Sequence, residues 1–541
     1  MFINYSDLPG FQNLFLDYLY EFQNVKNFYD INFRETEDYQ LLFNKLESNY
    51  KTNSESIIKI IKNQYHELRI SKQTEYNIKN LADSKTFVII TGQQLTVFGG
   101  PLYTFYKIIT AIKLCAQLKE KFDKYNFVPL FWMEADDHDF EEAKSINLIS
   151  SDNKVSRISY DDGEPPEVNR GSIGNLTFNN GIDNTVDLLK QTLRKTEYTD
   201  QILDIVRSFY QTGDTFSKSF RKIIHHFFDE YGLIIFNPQD INVKKLLYPL
   251  FIQEIENFQE HTDSIVEVSA ELEELYHAQV KVKPINLFML HNGGRYLIEP
   301  VGDEFRLRGK KRKFSKTEIV ETVEQSPERF SPNVLLRPIC QDFLFSTAFY
   351  IAGPSEISYF AQVHPNYKSY SINQSIIYPR SSVTLAENYI DNIIEKYNLN
   401  IIDIFNSEKE LIANVINSVS DIDIHQLFSE NETDITRIFD NIKEKLYSID
   451  NTLIDAANKS LHKIAQSLDT LKMKAEKAQK KKHEILINQL LKAKTNLYPN
   501  NNYQERELNF LYYANKHGLD IIKWLFNELS INRFEHQIIR L

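Results

Sequence analysis

Thr86-Phe87-Val88-Ile89-Ile90-Thr91-Gly92-Gln93-Gln94 is the stretch on which the fold turns. Its first five residues are all β-branched or aromatic, the mark of a strand buried on both faces. After it, Gly99 and Gly100 form a loop and Pro101 follows. Proline suits the first position of a helix, and Leu102, Phe105, Tyr106, Ile109 and Ile112 have helical spacing up to about Phe122. Phe127 to Met133 then reads as a second buried strand. A strand–helix–strand unit of this kind is a right-handed parallel crossover, so both following loops lie at the same edge of the sheet. Open α/β sheets bind their ligands at that edge. The two loops are Gly92–Gly100 and Glu134-Ala135-Asp136-Asp137-His138-Asp139.

Outward from this unit, residues 1–80 show helical periodicity, as in Ile57, Ile60, Ile61 and Tyr65. Further strands are expected at Leu233–Asn237, at Asn286–Leu290 and at Thr347–Ala352. Asn292-Gly293 signals a hairpin that returns through Tyr296–Glu299. The strand at 347–352 ends at Gly353-Pro354-Ser355-Glu356, which opens another helix. From about Glu387 the period is purely helical. Ile454, Ala457, Leu461, Ile464, Leu468, Leu471, Ala475 and Ala478 alternate steps of three and four, a coiled-coil seam that Lys482 breaks and Ile485 resumes. Ile404 to Leu446 is its antiparallel partner. The expected organisation is a parallel-sheet core over 1–385 with insertions near 148–200 and 286–330, a helical coiled-coil domain over 386–500, and C-terminal helices over 501–541 returning to the core.

Composition narrows the function classes. The 541 residues contain only 16 Gly and 16 Pro, which excludes collagen-like and linker-dominated chains. Mean hydropathy is −0.40, and no apolar run approaches the length of a membrane span. The formal charge of −12 argues against general nucleic-acid binding. Two cysteines, Cys115 and Cys340, cannot build a disulfide framework, and no paired-cysteine zinc motif is present. The N-terminus lacks a secretion signal, so a cytoplasmic location is expected.

Several groups could carry chemistry. The acidic loop can hold an ammonium group, bind a hard cation or supply a general base, or it can simply cap the next helix. The Thr91–Pro101 loop offers backbone N–H groups to an anion, or is an ordinary tight turn. Arg337 can grip a carboxylate or phosphate, or pair with Asp342 in the interior. Cys340 reads best as a core thiol. The basic runs Lys310–Lys316 and Lys472–Lys482 are anion-binding surfaces or solvated faces.

Together these motifs are specific in their order. Thr91-Gly92-Gln93-Gln94, Gly100-Pro101-Leu102-Tyr103-Thr104, Phe131-Trp132 and Asp136-Asp137-His138-Asp139-Phe140 resemble the family of BshC, the bacillithiol biosynthesis cysteine-adding enzyme. Asn333 to Asp342, Ala352 to Tyr359 and Gln504 to Asn509 extend the resemblance over essentially the whole chain. Ser346 stands where this family would be expected to carry proline. The resemblance implies a Rossmann-type core with inserted connecting segments and a coiled-coil domain that forms a homodimer. It further implies a ligase that joins L-cysteine to glucosaminyl-malate by an amide bond, completing bacillithiol. Carboxylate activation calls for ATP as cosubstrate, with Mg²⁺ a candidate companion; no protein metal ligand is assigned. On this reading Asp136, Asp137 and His138 are catalytic candidates. Gly92, Gln93, Gln94, Gly99, Gly100, Asp139, Arg337, Gln341, Gly353 and Glu356 are expected to contact substrate or nucleotide. Two rivals are a tRNA-synthetase-like adenylating enzyme and a non-catalytic dimeric scaffold with a nucleotide-sensing pocket.

Overall fold

The computed structural model describes residues 1–49, 54–420 and 422–541. They divide into two compact units, Met1–Leu385 with Asn502–Ile539, and Ala386–Asn501 with Arg540–Leu541.

The first unit is built on five parallel strands: β1 (Thr86–Gln94), β2 (Asn126–Glu134), β3 (Ile234–Phe236), β4 (Thr347–Ala352) and β5 (Ile376–Pro379). Their order is β5-β4-β1-β2-β3, and every neighbouring pair is parallel. Apolar side chains fill these strands because helices cover both faces of the sheet. The strand–helix–strand unit read from the sequence is β1, the helix Leu102–Lys121 and β2. β1 is central: the chain moves from it to β2 on one side and later returns to β4 on the other. The gap between the carboxyl ends of β1 and β4 is therefore the topological switch point of the sheet.

Two segments interrupt the sheet. Between β2 and β3 come the hairpin Ser145–Ile149/Val155–Ser159 and three helices, Gly181–Thr192, Thr199–Phe209 and Phe216–Phe228. Between β3 and β4 come the long helix Ile241–Leu275 and an antiparallel sheet. That sheet runs in the order Lys313–Ser315, Glu304–Leu307, Gly294–Val301, Leu287–His291, Phe330–Pro332. Asn292 and Gly293 both have positive φ (47° and 79°), as a tight two-residue hairpin turn requires.

The C-terminal segment departs from the expected run of helices. Helices Gln504–Glu507, Phe510–His517 and Ile521–Glu528 are followed by the strand His536–Arg540. Phe2 pairs with Gln537 and Ile3 with His536, so the two chain ends meet. His536 is fully buried; its Nδ1 lies 2.8 Å from Ser382 Oγ and its Nε2 2.8 Å from Thr384 Oγ1. Burial depresses its pKa from 6.5 to about 4, although Glu505 opposes the shift. The neutral ring therefore contributes stability that is complete above pH 6.5 and is lost as pH falls towards 4. Asp342 works in the opposite direction: burial raises its pKa to about 6, so its cost falls as pH drops through that value. Comparison of wild type with His536→Gln isolates the first effect. Between pH 7 and pH 5 the wild type's advantage in urea is expected to shrink by about 2 kcal/mol. A constant difference across that range rules the linkage out.

The second unit is helical: Asn388–Lys396, Glu408–Val419, Ile424–Tyr447, Leu453–Lys482 and Glu484–Leu497. A short turn at 448–452 makes the two longest helices antiparallel. At their far end His425 meets Glu476 at 3.7 Å and Gln479 donates to the carbonyl of Ile422 at 3.1 Å. The seam breaks at His483 (φ −107°, ψ 21°), one residue beyond the lysine at which the apolar period lapses. Among the described residues, no helix is long and apolar enough to cross a membrane.

Candidate functional site

At the carboxyl edge of the parallel sheet lie two adjoining chambers. The first occupies the switch point and is lined by Gln93, Tyr103, Lys107, Gly353, Glu356, Tyr359, Arg380 and Arg506. The second lies beyond β2 and β3 and is lined by Trp132, Asp136, Asp137, His138, Phe288 and Arg295, among others. Gln94, Glu134, Val334 and Arg337 line both and form the partition.

Three ion pairs organise the first chamber. Lys107 Nζ meets Glu356 Oε2 at 2.5 Å, Arg337 Nη1 meets Glu134 Oε2 at 2.5 Å, and Arg380 Nη2 meets Glu505 Oε1 at 2.6 Å. Lys107 also donates to the Gly92 carbonyl at 2.9 Å and to Gln93 Oε1 at 3.1 Å. Glu356 accepts further from the Gly353 N–H and the Tyr350 hydroxyl, each at 2.8 Å. Burial alone would raise the Glu356 pKa, but Lys107 and the Gly353 N–H hold it below the ordinary value. Glu134 behaves differently: burial raises its pKa, with Arg337 opposing and Glu356 reinforcing the rise. Arg337 also donates to the Tyr359 hydroxyl at 2.6 Å.

In the second chamber the acidic loop is fixed from both sides. Asp136 pairs with the buried Lys244 at 2.6 Å. Asp137 Oδ1 accepts the backbone N–H of His138 at 2.6 Å, and Oδ2 accepts from the Gln94 amide. Burial pushes the Asp137 pKa up, but the His138 contacts and Arg295 outweigh it, so the carboxyl is held low. A carboxylate held this way can bind an ammonium group but is a weak proton acceptor. Arg295 reaches in from the antiparallel sheet and lies 3.0 Å from His138 Nδ1.

Gln93, Gln94, Asp136, Asp137, His138, Arg337, Gly353 and Glu356 thus come together from four separate stretches of chain. The other expected contacts, Gly92, Gly99, Gly100, Asp139 and Gln341, line neither chamber. Gly92 is buried inside β1, where an added Cβ would sit 3.0 Å from the Trp132 carbonyl; its role is close strand approach. Gly99 and Gly100 are buried in a tight turn with φ of 84° and 75°. The Asn509 amide donates to the carbonyls of Phe98 and Gly100, and the Leu102 N–H donates to the Leu508 carbonyl at 2.9 Å. Of the N–H groups expected to meet an anion, that of Leu102 is thus engaged within the chain, and that of Gly100 donates to the Val97 carbonyl at 3.3 Å. Asp139 caps the short helix Phe140–Ala143, accepting from the Glu142 N–H at 3.1 Å. Gln341 is buried in the helix Arg337–Leu344 and lines neither chamber. Arg337 pairs with Glu134, not with Asp342, whose carboxylate accepts from the Tyr367 hydroxyl at 2.9 Å. Cys340 is fully buried, and burial raises its pKa far out of the reactive range. Lys310, Lys311 and Arg312 are exposed and line neither chamber.

Sequence reading missed Lys107, Lys244, Arg295, Arg380 and Arg506. The one signal for Lys107 is a lysine within an otherwise apolar helical stretch, since such a lysine needs a buried partner.

Residues 1–381 match the family described as bacillithiol biosynthesis BshC, N-terminal Rossmann-like domain. Residues 383–541 match its C-terminal coiled-coil domain. A protein of Salinibacter ruber named "Putative cysteine ligase BshC" is 33% identical over 535 residues, covering 98% of this chain and 97% of the relative. Relatives of the same name from Chlorobaculum tepidum and Chloroherpeton thalassium are 32% and 34% identical. They cover 95% and 86% of this chain, and 94% and 85% of themselves. A Rossmann-like parallel sheet, a helical coiled-coil unit and matches over most or nearly all of the chain agree: the chain belongs to the BshC family of bacillithiol biosynthesis.

Proposed function

We propose that this chain is an ATP-dependent ligase that joins the carboxyl group of L-cysteine to the amine of glucosaminyl-malate, the last step of bacillithiol formation. The observation that carries the reading is the partition: two chambers of different chemistry share Glu134 and Arg337 at the carboxyl edge of the sheet. Ligation needs two reactants held apart until one is activated, then brought within reach across a common wall. ATP activates the cysteine carboxylate, and diphosphate leaves if the intermediate is an acyl-adenylate. The acceptor ammonium first gives up one proton to solvent; the amine then attacks the acyl carbon, the amide forms, and AMP and the second proton depart. Asp137, charged and facing the second chamber, holds the amine as its ammonium before attack. Mg²⁺ would arrive on the nucleotide phosphates, as it usually does in such sites. Purified protein supplied with cysteine, glucosaminyl-malate and ATP should yield bacillithiol by mass spectrometry. No product under any nucleoside triphosphate would move the scaffold reading to the front.

The first chamber is also short of one negative charge. Lys107, Arg337 and Arg380 each have a carboxylate partner. Among the described residues, the Arg506 side chain has neither ion pair nor hydrogen bond. Arg506 sits on the helix Gln504–Glu507, whose Gln504 and Glu505 are buried and tied to 380–385, so its backbone is fixed. It would receive an anionic group of the other reactant, a phosphate of the nucleotide. Arg506→Ala should raise the KM for ATP about 10- to 100-fold, the worth of one charge-assisted hydrogen bond. Both kcat and the KM for glucosaminyl-malate should stay near wild type; a change confined to the glucosaminyl-malate KM would remove this assignment.

The helical unit is proposed to make the protein a homodimer. Ile438, Ile442, Leu471, Met473 and Ile485 stand 41–76% exposed on its helices, and a second copy would cover them. Sedimentation equilibrium should give twice 63.6 kDa. Ile438→Lys combined with Leu471→Lys should yield monomer.

A further inference from the structure

The geometry around His138 points to a role that rests on the ligase reading but differs from that of a base. We propose that His138 acts as a hydrogen-bond donor through Nε2–H to an anionic oxygen of the reacting groups, and that Arg295 is the positioning residue that sets this state. Arg295 lies on the inserted antiparallel sheet and is 6% exposed. Its guanidinium lies 3.7 Å from the Phe288 ring centroid, and its donors are directed one by one: Nε to Ser331 Oγ at 2.9 Å, Nη2 to the Pro332 carbonyl at 3.0 Å, and Nη1 to His138 Nδ1 at 3.0 Å. A guanidinium has only donors. His138 Nδ1 must therefore accept, and the ring proton of the neutral imidazole sits on Nε2.

The competing partner of Nδ1 is Asp137 Oδ1, at 3.4 Å. That oxygen already accepts the His138 backbone N–H at 2.6 Å, and the other carboxylate oxygen accepts from Gln94. A proton on Nδ1 would also face the guanidinium N–H at 3.0 Å, donor against donor. The closer contact and the prior engagement of the carboxylate agree on one tautomer. Nε2 has no partner among the described residues, and the His138 side chain, 47% exposed, borders the second chamber. An imidazole with Nδ1 occupied and Nε2–H free has no lone pair to offer a substrate. It can only donate, which is what an acyl-phosphate or tetrahedral oxyanion requires. The guanidinium is rigid because burial, which also lowers its pKa to about 10, leaves it no alternative partners in water.

Glutamine places its amide N–H close to the position of imidazole Nε2, and asparagine close to Nδ1. His138→Gln should therefore keep kcat within about 10-fold of wild type, while His138→Asn and His138→Ala lose about 10²–10³-fold, the usual cost of one oxyanion donor. If His138 is a general base, all three variants lose activity alike, and the proposal falls. A second readout does not need turnover. In protein labelled with ¹⁵N-histidine, the resonances absent from His138→Gln should show Nδ1 unprotonated and Nε2 protonated at neutral pH. Arg295→Met should abolish that preference and lower kcat with little change in KM, whereas Arg295→Lys, which still donates, should preserve the tautomer. A wild-type ring protonated at Nδ1 overturns the proposal. Should wild-type protein form no product, the ligase reading fails, and the nitrogen resonances decide the role of Arg295 alone.

Discussion

Lys107→Met is expected to destabilise the first unit by about 3–5 kcal/mol, because it strands a buried carboxylate. Lys107 is 3% exposed and Glu356 Oε2 lies 2.5 Å away. Without the ammonium, Glu356 keeps only the Gly353 N–H and the Tyr350 hydroxyl. Methionine fills nearly the same volume, so packing loss is a minor part of the effect. The same change releases the Gly92 carbonyl and Gln93 Oε1, which no longer share a donor. Urea unfolding of Lys107→Met, Glu356→Gln and the double variant separates the contributions. The double variant should recover most of the loss, since a neutral amide beside methionine leaves no buried charge. A double variant as unstable as Lys107→Met would show that the pair is not what holds this corner together.

This pair also shows what the sequence could and could not disclose. The strands at 86–94, 126–134 and 347–352 were legible because a parallel strand covered on both faces must be continuously apolar, a pattern that needs no partner to be recognised. Ile376–Pro379 and His536–Arg540 were not. Each is only four or five residues long, and His536 finds its partner at the opposite end of the chain. The acidic loop could be placed at the ligand-binding edge because it directly follows a strand. The paired glycines were ambiguous, because Gly-Gly-Pro before a helix is the same signal for a phosphate loop and for a tight turn. What bears on the choice lies more than four hundred residues later, where the Leu508 carbonyl takes the Leu102 N–H at 2.9 Å. Lys107, Arg295 and Arg380 escaped for the same reason. The meaning of a buried cation lies in its partner, and Glu356, His138 and Glu505 are all distant in sequence.

Arg337→Met is expected to reduce kcat/KM for ligation by about 10³-fold, the scale set by losing preorganised stabilisation of a developing negative charge. Its guanidinium stands in the partition between the chambers, where an acyl group passing from activation to attack must be stabilised. It also pairs with Glu134 at 2.5 Å and holds the Tyr359 hydroxyl at 2.6 Å, so a purely bracing role would produce the same loss. Adding Glu134→Gln resolves the two. If Arg337 only braces, Arg337→Met/Glu134→Gln removes the stranded carboxylate and restores both stability and rate. If Arg337 stabilises the transition state, the double variant recovers its urea midpoint but remains as slow as the single one. Arg337→Lys sharpens the distinction, since one ammonium cannot serve Glu134 and Tyr359 together in the fork geometry of a guanidinium. That variant should unfold near the wild-type midpoint, because Glu134 keeps a cation. It should still lose at least tenfold in kcat, because the charge has moved away from the wall the two reactants share.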